Sequence, residues 1–92
     1  MRITIDPAKD AANLRTHKLA LGFGILVVGD AEALHVDDTR FDYGERRVIC
    51  YGRVGKRLYV AVYAERGDEM RIISVRKANE REQHKFRDHA SG

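Results

Sequence analysis

Among 92 residues the chain has one cysteine, one proline and no tryptophan. Cys50 has no partner for an internal disulfide and falls in an expected strand, which favours a reduced, cytoplasmic setting over a secreted one. With proline so scarce and no low-complexity tract, little of the chain is expected to be disordered. No apolar run approaches the roughly 20 residues that cross a bilayer, and Met1–Asp6 lacks the apolar core of a signal peptide, so no membrane contact is expected. Paired cysteines of the zinc type are missing as well. His84, Asp88 and His89 lie near helical spacing, but two histidines on an exposed terminal helix make a poor metal site, and neither a metal nor another cofactor is expected.

What is present suits one small globular domain spanning residues 1–92, large enough for a modest core and too short for two. The net charge of +3 conceals a strong pattern. Residues 30–45 carry six acids and one base, and residues 46–60 five bases and no acid. The two blocks either pair with each other inside the fold, or leave a basic surface that attracts nucleic acid or an acidic partner protein.

Arg2–Ile5 alternates polar and apolar residues and reads as a short strand. Asp6-Pro7 starts a helix, since Asp6 can cap orphan amides and Pro7 suits the first helical position. That helix is expected to pack Ala8, Ala11, Ala12 and Leu14 inward and to end near His17, with Lys9, Asn13 and His17 sharing a face at intervals of four. The apolar run 19–29 contains Gly22 and Gly24 and is read as a second short helix, with a buried strand as its competitor. Its glycines lack the G-x-G-x-x-G pattern of a dinucleotide loop. A strand over Ala33–Val36 leads into an acidic loop, Asp37–Gly44, read as solvated. Asp37, Asp38, Asp42 and Glu45 there lack the ligand order of a calcium loop.

Strands are expected over Glu45–Gly52 and Arg57–Glu65, joined through Gly52-Arg-Val-Gly55, with a turn at Arg66-Gly67-Asp68. On the second of these strands Leu58, Val60 and Val62 face one way, and Tyr59, Ala61 and Tyr63 the other. In the strand Arg71–Arg76, period 2 puts Ile72, Ser74 and Arg76 on one face and Arg71, Ile73 and Val75 on the other. Asn79 followed by Glu82 is a capping box that opens a last helix whose one large apolar residue is Phe86. The sum is an α+β fold: a small antiparallel sheet with the N-terminal helices packed on one face and a C-terminal helix, the other face partly covered.

Several segments together resemble the BrnT toxin family. They are Asp6, Lys9, Asn13 and His17; Asp42-Tyr43-Gly44-Glu45-x-Arg47; Gly52 and the strand 57–63; and Arg71-Ile72-Ile73-Ser74-x-Arg76-Lys77-Ala78-Asn79-x-x-Glu82. The resemblance implies a RelE/ParE-like fold and a ribonuclease toxin of a type II toxin–antitoxin system that inhibits translation and growth. It also implies a cognate BrnA-like, DNA-binding antitoxin and a hetero-oligomer with it. The chain departs from the family pattern after His17, where Lys18 and the glycine-bearing run follow, and at Phe86, where a Tyr is common.

RNA cleavage without a metal needs a base for the 2′-hydroxyl, cations for the pentavalent phosphate and an acid for the leaving 5′-oxygen. His17, Glu45, Arg47, Arg71 and Arg76 are the candidates for those tasks. Arginine suits the phosphate because its fork makes parallel hydrogen bonds and keeps its charge. Lys9, Lys77, Tyr59 and Tyr63 are the candidate RNA contacts, the tyrosines by base stacking unless they pack into the core. The competing reading is a non-catalytic basic module that binds RNA or an acidic protein without cutting it, and salt-sensitive binding without product would mark it.

Overall fold

The computed structural model describes residues 2–91, and side chains from residue 2 through residue 88. Its elements run β1 (Arg2–Ile5), α1 (Pro7–His17), α2 (Phe23–Val28), β2 (Leu34–Asp37), β3 (Arg46–Val54), β4 (Arg57–Arg66), β5 (Glu69–Lys77) and α3 (Glu80–Ser91). The strands form one sheet in the order β1-β5-β4-β3-β2. The expected antiparallel pairing holds for β2 to β5, but β1 lies parallel to β5, so the sheet is mixed. This follows from connectivity: β1 reaches β5's outer edge after three intervening strands, and nothing forces a hairpin there.

One sheet face is the core. Val48, Cys50, Ala61, Ile72 and Val75 are fully buried there under Leu21 and Val27 of the α2 segment. Each such side chain contributes about 1.5–3 kcal/mol relative to exposure. The two glycines that counted against a helix over 19–29 serve this packing. A Cβ on Gly52 of β3 would sit 2.2 Å from the Val27 carbonyl oxygen, and one on Gly24 of α2 would sit 3.0 Å from Ile72 Cγ2. Helix and sheet thus meet backbone to backbone, which only glycine allows.

The packing expected of α1 is corrected. Ala8, Ala11 and Ala12 are exposed and Leu14 is 51% exposed, whereas Asn13 is buried. β1 ends opposite Ile72, and α1 continues along the edge of β5 that β1 leaves open. Asn13 stands in for a missing strand there: its Nδ2 donates to the Val75 carbonyl (2.9 Å) and its Oδ1 accepts from the Val75 amide (3.1 Å). The same Nδ2 donates to Leu19 O, and Asp10 accepts from the Leu21 amide. α1 is held by polar side chains that satisfy backbone, so it needs no apolar stripe.

The opposite face carries a smaller cluster of Leu58, Val60, Ala78 and Phe86, through which α3 rests on the sheet. Phe86 is buried, so the residue where the family pattern often has Tyr serves as α3's anchor. The capping box forms as expected: Asn79 Oδ1 accepts from the Glu82 amide, and Glu82 accepts from the Asn79 amide. Asp6 likewise caps α1 through the Ala8 amide, with Pro7 behind it.

The faces assigned to β5 are also corrected. Ser74 pairs with Val62 while Ile72 pairs with Tyr63, so Ile73 is an extra residue, a bulge. Beyond it the alternation flips. Ile72 and Val75 share the core face, and Arg71, Ser74 and Arg76 share the other.

Candidate active site

Residues paired directly across neighbouring strands project from the same face, so the register sorts the α3-side face into rows. The outermost row runs Arg2, Glu69, Arg66, closed by Glu45 through its ion pair with Arg66. The second runs Thr4, Arg71, Ala64, Arg47. The third is Ser74, Val62, Ile49, Val36, and the fourth Arg76, Val60, Tyr51, Leu34. Glu45, Arg47, Arg71 and Arg76, dispersed in sequence, therefore lie on one face.

They are not equivalent. In the second row the small Ala64 sits between two arginines whose Cα atoms are roughly 10 Å apart, two strand spacings. The Arg47 side chain is 29% exposed and its Nε lies 3.7 Å from Glu45 Oε2. The Arg71 side chain is 38% exposed and lies 3.6 Å from Glu69 Oε1. Both carboxylates are close enough to balance charge and too far to accept a hydrogen bond. Arg47 Nε is buried without an acceptor among the described residues. Each carboxylate is committed elsewhere: Glu45 to Arg66, and Glu69 to Thr4 Oγ1 at 2.6 Å, the chief reason its carboxyl is held below its usual range.

Arg76 differs. Its Nη1 and Nη2 donate to the two carboxylate oxygens of Glu82 at 2.8 Å each, a parallel pair that latches α3 to β5. This hydrogen bonding raises the Arg76 pKa and lowers that of Glu82. A cavity of about 530 Å³ opens beside the latch, lined among others by Leu34, Val36, Tyr51, Lys85 and Phe86, away from Arg47 and Arg71.

The remaining expected site residues separate into two places. Lys9 and His17 flank Ile73 in a shallow concavity at the β5 edge, next to one formed by Thr4, Ile5, Asp6 and Arg71. Tyr59, Tyr63 and Lys77 project from the helix side of the sheet. Tyr63 is 5% exposed and meets His35 Nδ1 at 3.0 Å, and Tyr59 packs edge-on against Phe23. Burial leaves Tyr63 no ring face for a base, and Tyr59 is partly buried against Phe23. Among the described residues no three His, Cys, Asp or Glu side chains gather to hold a metal, and the His89 side chain lies outside the described residues. The free thiol of Cys50 is buried, which pushes its pKa up to about 11.

The acidic loop is not simply solvated. Asp37 pairs with Arg46, and Asp38, its side chain 2% exposed, accepts from Arg40 Nε and Nη2 and from the Tyr43 hydroxyl. Arg40 above all holds the Asp38 carboxyl well below the usual carboxylate range. Sequence reasoning assigned Asp38 no role and gave Tyr43 none beyond its motif. The signal was the Tyr43–Arg47 spacing, four apart across a turn, and it did not reveal that the Tyr43 ring covers the Arg47 guanidinium at 4.1 Å.

A family model described as ribonuclease toxin, BrnT, of type II toxin-antitoxin system matches residues 5–82. The chain belongs to the BrnT family. This BrnT-family chain is therefore a ribonuclease toxin of a type II system, with RNA as its target and an antitoxin as its partner. The matched span contains both arginines of the second row, the Arg76–Glu82 latch and the Asn13 clamp. Comparison with curated proteins returns no match. Among the described residues no helix is long and apolar enough to cross a membrane.

Proposed function

We propose that RNA lies across the row Arg47–Ala64–Arg71 and leaves the sheet over the β5 edge, past Lys9 and His17, and that cleavage there needs no metal. The 2′-oxygen attacks the adjacent phosphorus as its proton departs, the P–O5′ bond breaks, and the 5′-oxygen is protonated. Arg47 and Arg71 neutralise the negative charge that builds on the non-bridging oxygens. His17, whose imidazole nitrogens can accept or donate a proton, serves the proton transfer. Glu45, tied to Arg66, orients Arg47 rather than acting as a base. Lys9 adds a backbone charge contact, whereas Lys77, on the α2 side of the sheet, lies off this path. Arg76 supports the site by fixing α3.

The observation that carries this reading is that Arg47 and Arg71 flank a small residue on one row, each with its carboxylate neighbour beyond hydrogen-bond reach. Charge balance without donated hydrogen bonds leaves their N–H groups for a phosphate. We further infer a RelE/ParE-like architecture over the single domain 1–92, with α2 against one sheet face and α1 along the β5 edge. The antitoxin is BrnA-like, binds DNA and forms a hetero-oligomer with this chain in the cytoplasm, and the free toxin arrests translation and growth.

The test is cleavage of total RNA by purified protein. Arg47→Ala and Arg71→Ala should each lower the rate on the order of 10²-fold with circular dichroism unchanged. If the folded double variant cut RNA at the wild-type rate, the arginine row would not be the site.

A further inference from the structure

The loop between β2 and β3 closes a circuit on Arg47. Asp38 donates its backbone amide to the Arg47 carbonyl at 2.8 Å, extending the β2–β3 ladder by one bond. Its buried carboxylate accepts from the Tyr43 hydroxyl at 3.0 Å and from the Arg40 guanidinium. The Tyr43 ring then lies over the Arg47 guanidinium, 4.1 Å from ring centroid to Cζ, and Phe41 packs its edge on Tyr43 at 5.8 Å. Backbone of Arg47, carboxylate of Asp38, hydroxyl and ring of Tyr43, and side chain of Arg47 form one loop of contacts.

We propose that Asp38 and Tyr43 are positioning residues that hold the Arg47 guanidinium over the sheet for the scissile phosphate. An arginine with no hydrogen bond to fix it would otherwise sample several rotamers over this face. The ring restricts the guanidinium plane without using its N–H donors, and the terminal Nη groups remain free to form a fork with phosphate oxygens. Ion pairing to a carboxylate would fix the arginine equally well, but would consume those donors, as Glu82 does at Arg76. Asp38 takes the hydroxyl of Tyr43 so that the ring cannot turn away. Its own charge is answered by Arg40, which leaves that of Arg47 uncompensated by it. The inference rests on Arg47 being a phosphate ligand.

A double-mutant cycle on RNA cleavage tests it, with Tyr43→Ala, Arg47→Ala and the pair. Tyr43→Ala should lower kcat on the order of 10²-fold with a smaller change in KM, because a misplaced group costs the transition state. In the Arg47→Ala background the same substitution should cost less than about 2-fold, since the ring acts through the arginine. Tyr43→Phe, which keeps the ring but loses the hydrogen bond to Asp38, should fall between Tyr43→Ala and wild type, and a rate equal to wild type would remove Asp38 from the positioning role. Full additivity, or wild-type activity of Tyr43→Ala beside an inactive Arg47→Ala, overturns the positioning role. Wild-type activity of Arg47→Ala overturns the underlying site instead. A measurement on the unaltered protein covers the case where Tyr43→Ala fails to fold. The Arg47 Nε–H proton should resonate upfield under the ring current and exchange slowly, and a resonance like that of an exposed arginine refutes the stack.

Discussion

Asn13→Ala should be among the most damaging single changes in this chain, although the residue lies in an eleven-residue helix whose apolar side chains face solvent. The Asn13 amide satisfies three backbone groups: the carbonyls of Leu19 and Val75 and the amide of Val75. Val75 is fully buried, so water cannot replace the lost partner without opening the β5 edge. A buried polar group left unpaired costs about 1–3 kcal/mol. Two such groups at Val75 and a softer loss at Leu19 give a total of about 3–5 kcal/mol. A chain of this size holds only about 5–14 kcal/mol in all, at 0.05–0.15 kcal/mol per residue. With about 4–8 °C lost per kcal/mol, the melting midpoint should fall by roughly 12–40 °C. Thermal unfolding by circular dichroism measures it, with Leu14→Ala as the control one position on, expected within about 0.5 kcal/mol of wild type because Leu14 is half exposed. A midpoint for Asn13→Ala within a few degrees of Leu14→Ala would show that the amide does not hold α1 to the sheet. The reason for Asn at this place in the opening motif would then have to be sought in RNA binding.

Two further expectations concern packing and pH. Gly52→Ala drives a Cβ to 2.2 Å from the Val27 carbonyl oxygen, a backbone atom that yields only if α2 shifts, so it should cost about 1–3 kcal/mol. Gly24→Ala meets a side-chain methyl at 3.0 Å and should cost less, and equal urea midpoints for the two would contradict the difference. Asp38, Glu69 and Glu82 all have depressed pKa values in the fold, so the stability they add is present above their ordinary values of 3.8, 4.5 and 4.5 and is lost as pH falls through the depressed ones. At the alkaline end Cys50 is raised from 9.0 to about 11, so stability is full below pH 9 and is lost as pH rises through 11. A urea midpoint that did not fall between pH 5 and pH 3 would refute the acid arm, and an alkaline fall undiminished in Cys50→Ala would refute the other.

Local chemistry made much of the fold legible. Asp6-Pro7 and Asn79 with Glu82 announce helix starts because a cap is written within four residues, and both caps form. The alternation of residues 58–63 placed the β4 side chains correctly, since each answers to its own strand alone. Where the reading failed, the deciding partner was distant in sequence. Gly24 and Gly52 look like helix-breaking and strand-weakening residues until α2 is laid on β3. Ala11, Ala12 and Leu14 look like a packed stripe until β5 offers Asn13 an open edge of backbone. Tyr59 and Tyr63 could serve base or core equally by type, and the placing of α2 and His35 decides for the core.

The bulge at Ile73 shows why the candidate site was the harder part to read. Strict alternation separates Arg71 from Arg76, and with them any common surface for RNA. One unpaired residue reverses that parity, keeps both Ile72 and Val75 in the core, and brings Arg71, Ser74 and Arg76 to the same side. Two β-branched isoleucines in succession give no hint of which is extra, because either fits a strand. The core supplies the choice: without the bulge, Ile72 and Val75 could not both be buried, and the sheet would have to bury either Arg71 or Arg76 beneath the helices. An arginine there would lose its hydration beneath an apolar layer, at a cost well above that of one broken ladder pair. Burial of two aliphatic residues thus fixes the kink, and the kink turns Arg76 to the face on which the hairpin register already sets Arg71 across Ala64 from Arg47. That Arg76 shares their face, and can latch α3 through Glu82 there, is a consequence of packing on the other face of the sheet.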